Sequence, residues 1–557
     1  MLIREVITQR IADAITAAQQ QGALPAFDVP DVALDRPQDP EHGDFASSLP
    51  LRLAKQAHVA PLAIAEALVP HVAAGDPIDR VWAAPPGFLN VALSPAWLQR
   101  QVDDVLAQGE AFGNTSTGRG RSVQVEFVSV NPTGPVHVGH ARGAVLGSTL
   151  ANTLAAAGFD VTREYYVNDA GTQMEIFYAS VFARYAQALG RADEQIPEDG
   201  YRGDYLVVLG KELAAEHGDR FLSMERKQAV AELGAAGLER MLDGIRTDLA
   251  RIGVEFDVWF RERSLFESGQ YDAAIAELEG RGATVQRDGA LWFTSAALGD
   301  DKDNVLVRST GQPTYFASDI AYHRNKFEER SFDRVIDIWG ADHQGHVTRM
   351  KTAMRALGID PERLQIIISQ LVTLRQGGDR VRASKRTGQI VTLSDLVDEV
   401  GADACRYFFL ARAAESQMDF DLELAKKESG DNPVYYVQYA HARIAGILRQ
   451  AKERSVRWDD GDPSLLVDDA ELALIRKMLL LPEHVESIAM TLAPHALPHY
   501  AAELATAFHW FYDRCRVLSA EPAEAPLMKA RLKLVEAAKT VLARTLGLMG
   551  MSAPETM

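Results

Sequence analysis

Hydrophobic periodicity divides this chain into three stretches of different character. From residue 1 to about 111, short helical and strand patterns alternate around a Pro/Asp-rich segment, Asp35 to Pro40, and a turn at Pro85-Pro86-Gly87, which predicts a small α+β domain. A Gly/Ser/Thr-rich run, Gly113 to Gly120, is a linker candidate. Beyond it, Val123 to Val128 alternates apolar and polar positions with β-branched residues, as a strand does, and Val138 to Gly158 carries small and apolar residues at helical spacing. Between them lies the turn Asn131-Pro132-Thr133-Gly134-Pro135.

Strand, turn and helix in that order open a doubly wound parallel sheet, in which ligands sit beyond the carboxyl ends of the strands. Further strands are expected at Val161–Tyr166, Arg334–Trp339 and Gln365–Ser369, and a stretch of helices with a hairpin at Asp288-Gly289, about 177–310, is expected to be an insertion. After about residue 415 the pattern stays helical, with helices expected over Val434–Gln450, Asp469–Thr491, Ala496–Ser519 and Pro526–Leu548. The expected architecture is therefore multidomain α/β: an α+β amino-terminal domain (1–111), a Rossmann-type catalytic core with an insertion (121–415) and an all-α helical-bundle domain (416–557).

Composition narrows the class. Two cysteines, Cys405 and Cys515, without paired spacing argue against a disulfide framework and a structural metal. Arg4, Glu5, Arg10 and Asp13 interrupt the first apolar stretch, unlike a signal peptide, and no run reaches the roughly 18 apolar residues that span a bilayer. A soluble, cytoplasmic enzyme is expected. A net charge of −19 runs against a simple basic nucleic-acid-binding module, although a local positive face can coexist with an acidic remainder.

The chemistry concentrates in two runs. A helix starting beside His137 aims unpaired N–H groups and its positive dipole end at the turn, a place for phosphate. His137 and His140 share one helix face and can donate to phosphate oxygens as charge builds on them, and Gly139 leaves room for a flat base. The second run, Arg382-Ala383-Ser384-Lys385-Arg386 in a Gly- and Arg-rich loop, offers Lys385 and Arg386 to the β- and γ-phosphates of ATP. Together the runs resemble the two signatures of class I aminoacyl-tRNA synthetases, with Arg382 in place of the usual first lysine and Lys385 matching the second.

Within that class the chain resembles the arginyl-tRNA synthetases. Carrying the resemblance are His42-Gly43-Asp44-Phe45-Ala46, Pro86-Gly87-Phe88-Leu89-Asn90, Val167-Asn168-Asp169-Ala170-Gly171, Tyr201-Arg202-Gly203-Asp204-Tyr205, Trp339-Gly340-Ala341-Asp342-His343, and the run from Asp431 to Arg443. It implies a monomer that joins L-arginine to tRNA(Arg) with ATP and Mg2+, through an arginyl-adenylate. It assigns ATP binding to Pro135, His137, Gly139, His140, Ser384, Lys385 and Arg386, with His137, His140 and Lys385 catalytic. Glu126, Tyr315 and Asp319 are implied to grip the arginine side chain, Asn131 its amino or carboxylate end, with Asp342 and His343 as neighbouring candidates; Phe88 and Asn90 are implied to meet a D-loop base of the tRNA. A planar, always charged guanidinium does require carboxylates set to accept paired hydrogen bonds, and Glu126 sits in an apolar strand pattern where an unpaired charge is costly. Other class I synthetases, a nucleotidylyltransferase using the same histidine turn, and a tRNA-binding protein without catalysis are the alternatives.

Overall fold

The computed structural model describes residues 2–73, 75–380 and 391–557. Ser384, Lys385 and Arg386 lie outside the described residues.

At the centre is a five-stranded parallel sheet. Its middle strand, Ser122–Glu126, is flanked by Asp160–Val167 and Arg334–Gly340, with Val258–Arg261 and Leu364–Ser369 at the edges. The parallel register pairs Glu126 with both Glu164 and Asp337, so three acidic residues lie abreast across the sheet. Two findings differ from expectation. The middle strand ends at Glu126, because Val128 and Ser129 take positive φ of 70° and 40° and turn the chain away. And the stretch 177–310 is no simple insertion, since Val258–Arg261 within it completes the sheet; four residues are too few to show a period beside long helices. The hairpin at Asp288-Gly289 is present, joining Thr284–Arg287 to Ala290–Phe293 in a separate antiparallel sheet.

The amino-terminal unit places Phe88–Leu93 between Phe45–Ser47 and Ile78–Ala84 in an antiparallel sheet, covered by the helices Ile3–Gln20, Leu49–Ala57 and Pro61–Leu68. The supposed linker at 113–120 is pinned to the end of the histidine helix, where the Thr115 and Gly118 amides donate to the carbonyls of Ala156 and Ala157. A Cβ on Gly118 would stand 2.4 Å from the backbone of Phe159, so the glycine serves close packing.

The helical region begins at Pro433 rather than 416, because Met418–Asp421 is a strand running parallel to Val372–Gln376. The expected helix 469–491 is two, Asp469–Met478 and Leu481–Thr491, since Pro482 cannot donate within a helix and sits in the first turn of the second. The next ends at Arg514.

Arg406, buried on the helix Ala402–Leu410, ties these units to the core: its guanidinium donates to the carbonyls of Met549 and Ile252 and to the hydroxyls of Ser148 and Thr149 on the histidine helix. Its hydrogen bonds among the described residues go to carbonyl and hydroxyl oxygens, and burial, opposed by Asp403, lowers its pKa to about 10. Arg406→Met should therefore strand several buried acceptors and cost about 3 kcal/mol or more. Chemical denaturation followed by circular dichroism checks this; a loss under about 1 kcal/mol would show that the staple is dispensable.

Candidate functional site

The middle strand delivers the chain to the top of the sheet, and the helix Val138–Ala156 starts from the turn that follows. His137 is its N-cap, its Nδ1 accepting from the Gly139 amide at 3.1 Å. His140 lies one turn on, with the two ring centroids 3.6 Å apart. Burial lowers both pKa values, that of His140 to about 4 with help from His137, so both rings are neutral near pH 7 and either can donate from one nitrogen. The Nδ1 of His140 is buried without a partner among the described residues. A Cβ on Gly139 would stand 2.8 Å from Cε1 of His137; the glycine admits the imidazole as well as leaving the turn open.

The turn is braced from two sides. Tyr205, from the Tyr-Arg-Gly-Asp-Tyr run, donates its hydroxyl to the Thr133 carbonyl. The Val138 amide donates to the Val391 carbonyl, and the Leu393 amide to that of Val136, so the chain returning after residue 390 is bonded to the histidine turn. Arg142, buried two residues past His140 on the same helix, donates to the carbonyls of Gln370, Ala413 and Ser416.

Below the turn lies a group of charges. Glu126 is buried and both its oxygens are engaged: Oε2 accepts from Lys326 Nζ at 2.6 Å and Oε1 from the Ser129 hydroxyl at 2.9 Å. Lys326 also donates to Asp337 Oδ1 at 2.8 Å. The ring of His323 faces Asp337 Oδ2 through Nε2 and the Asp319 carbonyl through Nδ1, both at 2.7 Å. Glu126 and Asp337 thus share the one lysine. Burial raises the Glu126 pKa despite Lys326, whereas Lys326 and His323 overcome burial at Asp337 and hold it at about 2.

Two further carboxylates stand outside this pairing. Asp319, on the helix Tyr315–Arg324, makes no ion pair among the described residues, and burial lifts its pKa to about 6. Glu262, directly after the edge strand, is buried with Oε2 unpartnered, and burial, then Asp319 and Asp169, lift it to about 7. The Tyr166 hydroxyl, buried and also unpartnered, lies within the field of Glu262, Asp319, Glu126 and Asp169. Asp169 itself is committed to the Arg263 amide and to the side chains of Arg261 and Arg263.

Of the residues singled out in the sequence, Glu126 and Asp319 lie in the field of Lys326 and His323, Tyr315 is exposed one turn before Asp319, and His137 and His140 stand at the histidine turn. Asn131 is exposed in an amide chain, accepting from Asn168 and donating to Gln173. Asp342 and His343 are exposed on the turn after Arg334–Gly340 and pair with each other at 3.5 Å. Pro135 is exposed at the end of the turn. Phe88 is half-buried at the start of its strand, but Asn90, at the centre of that sheet, is 1% exposed. Its side-chain Oδ1 is buried without a hydrogen-bond partner among the described residues.

Lys326, Glu262, Tyr166, His323 and Asp337 were not anticipated. A signal existed for two of them: Asp319, Tyr322, His323 and Lys326 recur at helical spacing through an otherwise apolar helix, a polar stripe facing inward.

A parallel sheet whose central strand feeds an H-x-G-H turn, with the second helix-capping segment bonded across it, is the catalytic architecture of a class I tRNA synthetase. Three family models match in succession: the arginyl-tRNA synthetase N-terminal domain at residues 3–93, the class I (R) tRNA synthetase catalytic domain at 101–440 and the DALR anticodon-binding domain at 437–557. The chain is 54% identical over 557 residues to the arginine–tRNA ligase of Dehalococcoides mccartyi, covering 100% of this chain and 99% of that one. With its counterpart in Moorella thermoacetica it shares 50% over 551 residues, 98% of each. The Thermus thermophilus arginyl-tRNA synthetase has the same fold at TM-score 0.78 and 22% identity, covering 100% of both chains. The chain belongs to the arginyl-tRNA synthetase family.

Gly139→Ala should push the His137 ring from its place and lower the turnover of ATP–pyrophosphate exchange on the order of tenfold to a hundredfold. The circular dichroism spectrum should not change; wild-type exchange would mean that His137 tolerates the methyl group.

Proposed function

We propose that this chain ligates L-arginine to the 3′-terminal adenosine of tRNA(Arg) in two steps, with the guanidinium of arginine held in the carboxylate cleft beneath the histidine turn. The observation that carries this reading is the pair Asp319 and Glu262: two carboxylates without cationic partners among the described residues, beside Glu126 and Asp337, which already share Lys326. Such a cleft has negative charge to spare for one cation. A guanidinium, with five donors in a plane, can engage both acceptors.

In the first step the arginine carboxylate attacks the α-phosphate of ATP and pyrophosphate leaves. Pro135, Gly139 and the helix end receive the nucleotide, and neutral His137 and His140 donate to phosphate oxygens as their charge grows. Ser384, Lys385 and Arg386 take the leaving phosphates; magnesium enters with ATP. Glu126, Tyr315 and Asp319 bind the side chain, Asn131 the amino or carboxylate end, and Asp342 and His343 close the mouth. In the second step the 2′-hydroxyl of the terminal adenosine attacks the adenylate carbonyl and AMP leaves. Phe88 stacks on an unpaired base of the tRNA. We further propose that the enzyme acts as a monomer in the cytoplasm; among the described residues no helix is long and apolar enough to cross a membrane.

Charging of total tRNA with each labelled amino acid should attach arginine alone, and Glu126→Gln or His140→Ala should nearly abolish attachment; attachment of another amino acid instead would reject the assignment.

The lifted pKa values set a pH dependence. Asp319 and Glu262 bind protons in the empty cleft below about 6 and 7, while a guanidinium demands their charged forms. Arginine should therefore bind more tightly as pH rises from 6 to 8 and release protons on binding. The same groups favour the empty fold at low pH and withdraw that support as pH rises through their folded pKa values. Calorimetry in buffers of different ionisation enthalpy measures the proton count; tighter binding at pH 6 would contradict the cleft.

A further inference from the structure

We infer that Lys326 is a positioning residue of the arginine site, its buried ammonium fixing both the aim and the charge of Glu126. This rests on the reading that Glu126 faces the guanidinium. The lysine follows the helix Tyr315–Arg324 on a π turn, Asn325–Glu329, where the backbone bond widens to run from the Arg330 amide to the Asn325 carbonyl. Such turns recur at functional sites. The side chain is fully buried, and its ammonium is enclosed: Glu126 Oε2 at 2.6 Å, Asp337 Oδ1 at 2.8 Å and the face of Tyr322 at 4.2 Å from the ring centroid. Burial would depress its pKa, but the two carboxylates more than offset this.

Stability alone gives no reason to keep this arrangement. A buried ion cluster is often no more stabilising than apolar residues of the same volume. What the lysine does is local to Glu126. The carboxylate is reached from the helix by Lys326, His323 and Asp319, from one neighbouring strand by Asp337, and from the other by Tyr166; Tyr322 lies beneath. Asp319 and Asp337 are like charges that push Glu126 toward its neutral form. Lys326 is the cation bonded to it, and by holding Oε2 while Ser129 holds Oε1 it leaves the carboxylate one orientation. Without it Glu126 would turn, or take up a proton, and meet the guanidinium as a poorer acceptor.

The test uses the full-length enzyme and reads the dissociation constants of arginine and of ATP from pH 6 to 9 by calorimetry. Lys326→Met should weaken arginine on the order of tenfold to a hundredfold, leave ATP unchanged, and move the midpoint of the arginine pH dependence upward. Lys326→Arg, which keeps the cation, should leave that midpoint in place. Asp337→Asn, which gives the lysine's charge to Glu126 alone, should move it downward, and this isosteric variant decides the matter if Lys326→Met does not fold. Equal weakening of both ligands by Lys326→Met, or a midpoint that fails to fall in Asp337→Asn, would overturn the inference. Glu126→Gln separates the two layers: if it leaves arginine binding intact, the cleft reading itself fails; if it weakens arginine while Lys326→Met does not, only the role of Lys326 falls.

Discussion

A site for a guanidinium must hold surplus negative charge before the substrate arrives, and a protein interior resists that surplus. The cost of burying an unpaired carboxylate is several kcal/mol, so the carboxylates cannot simply be gathered. This chain divides them. Glu126 and Asp337 share the buried ammonium of Lys326, and Asp319 and Glu262 make no ion pair among the described residues, with pKa values lifted so that a proton can stand in for the missing cation.

That arrangement comes from the sheet. Parallel strands end together, so Glu126, Glu164 and Asp337 fall side by side and the turns beyond converge. Glu164, the third, is also answered from within, by Arg330 and the Tyr322 hydroxyl. The histidine helix is then fixed at its start by Tyr205 and Val391, along its length by Arg142 and farther on by Arg406, so the N–H groups that face the nucleotide are held by contacts from several distant segments.

Much of this was legible in the sequence. The strand, the Pro/Gly turn and the helix announce themselves by a change of period from two to about 3.6. What escaped did so for physical reasons. Val258–Arg261 is too short to show alternation. Lys326 looks like any charged residue in a polar stretch, and only the stripe from Asp319 hints that it points inward. Glu262 sits among charged neighbours, Arg261 and Arg263, and burial alone distinguishes it.

The bend at Val128 and Ser129 has an implication for how this enzyme can change. A β-branched residue with φ of 70° sits in a backbone region costing on the order of 1–2 kcal/mol, yet the bend is what brings the Ser129 hydroxyl back to Glu126 and onto the Tyr166 amide. Glycine at 128 would relax the chain and also free it to wander. Selection for a tougher protein and selection for a sharper grip on substrate therefore pull this position in opposite directions, and a lineage moving to higher temperature has to find its extra stability somewhere else.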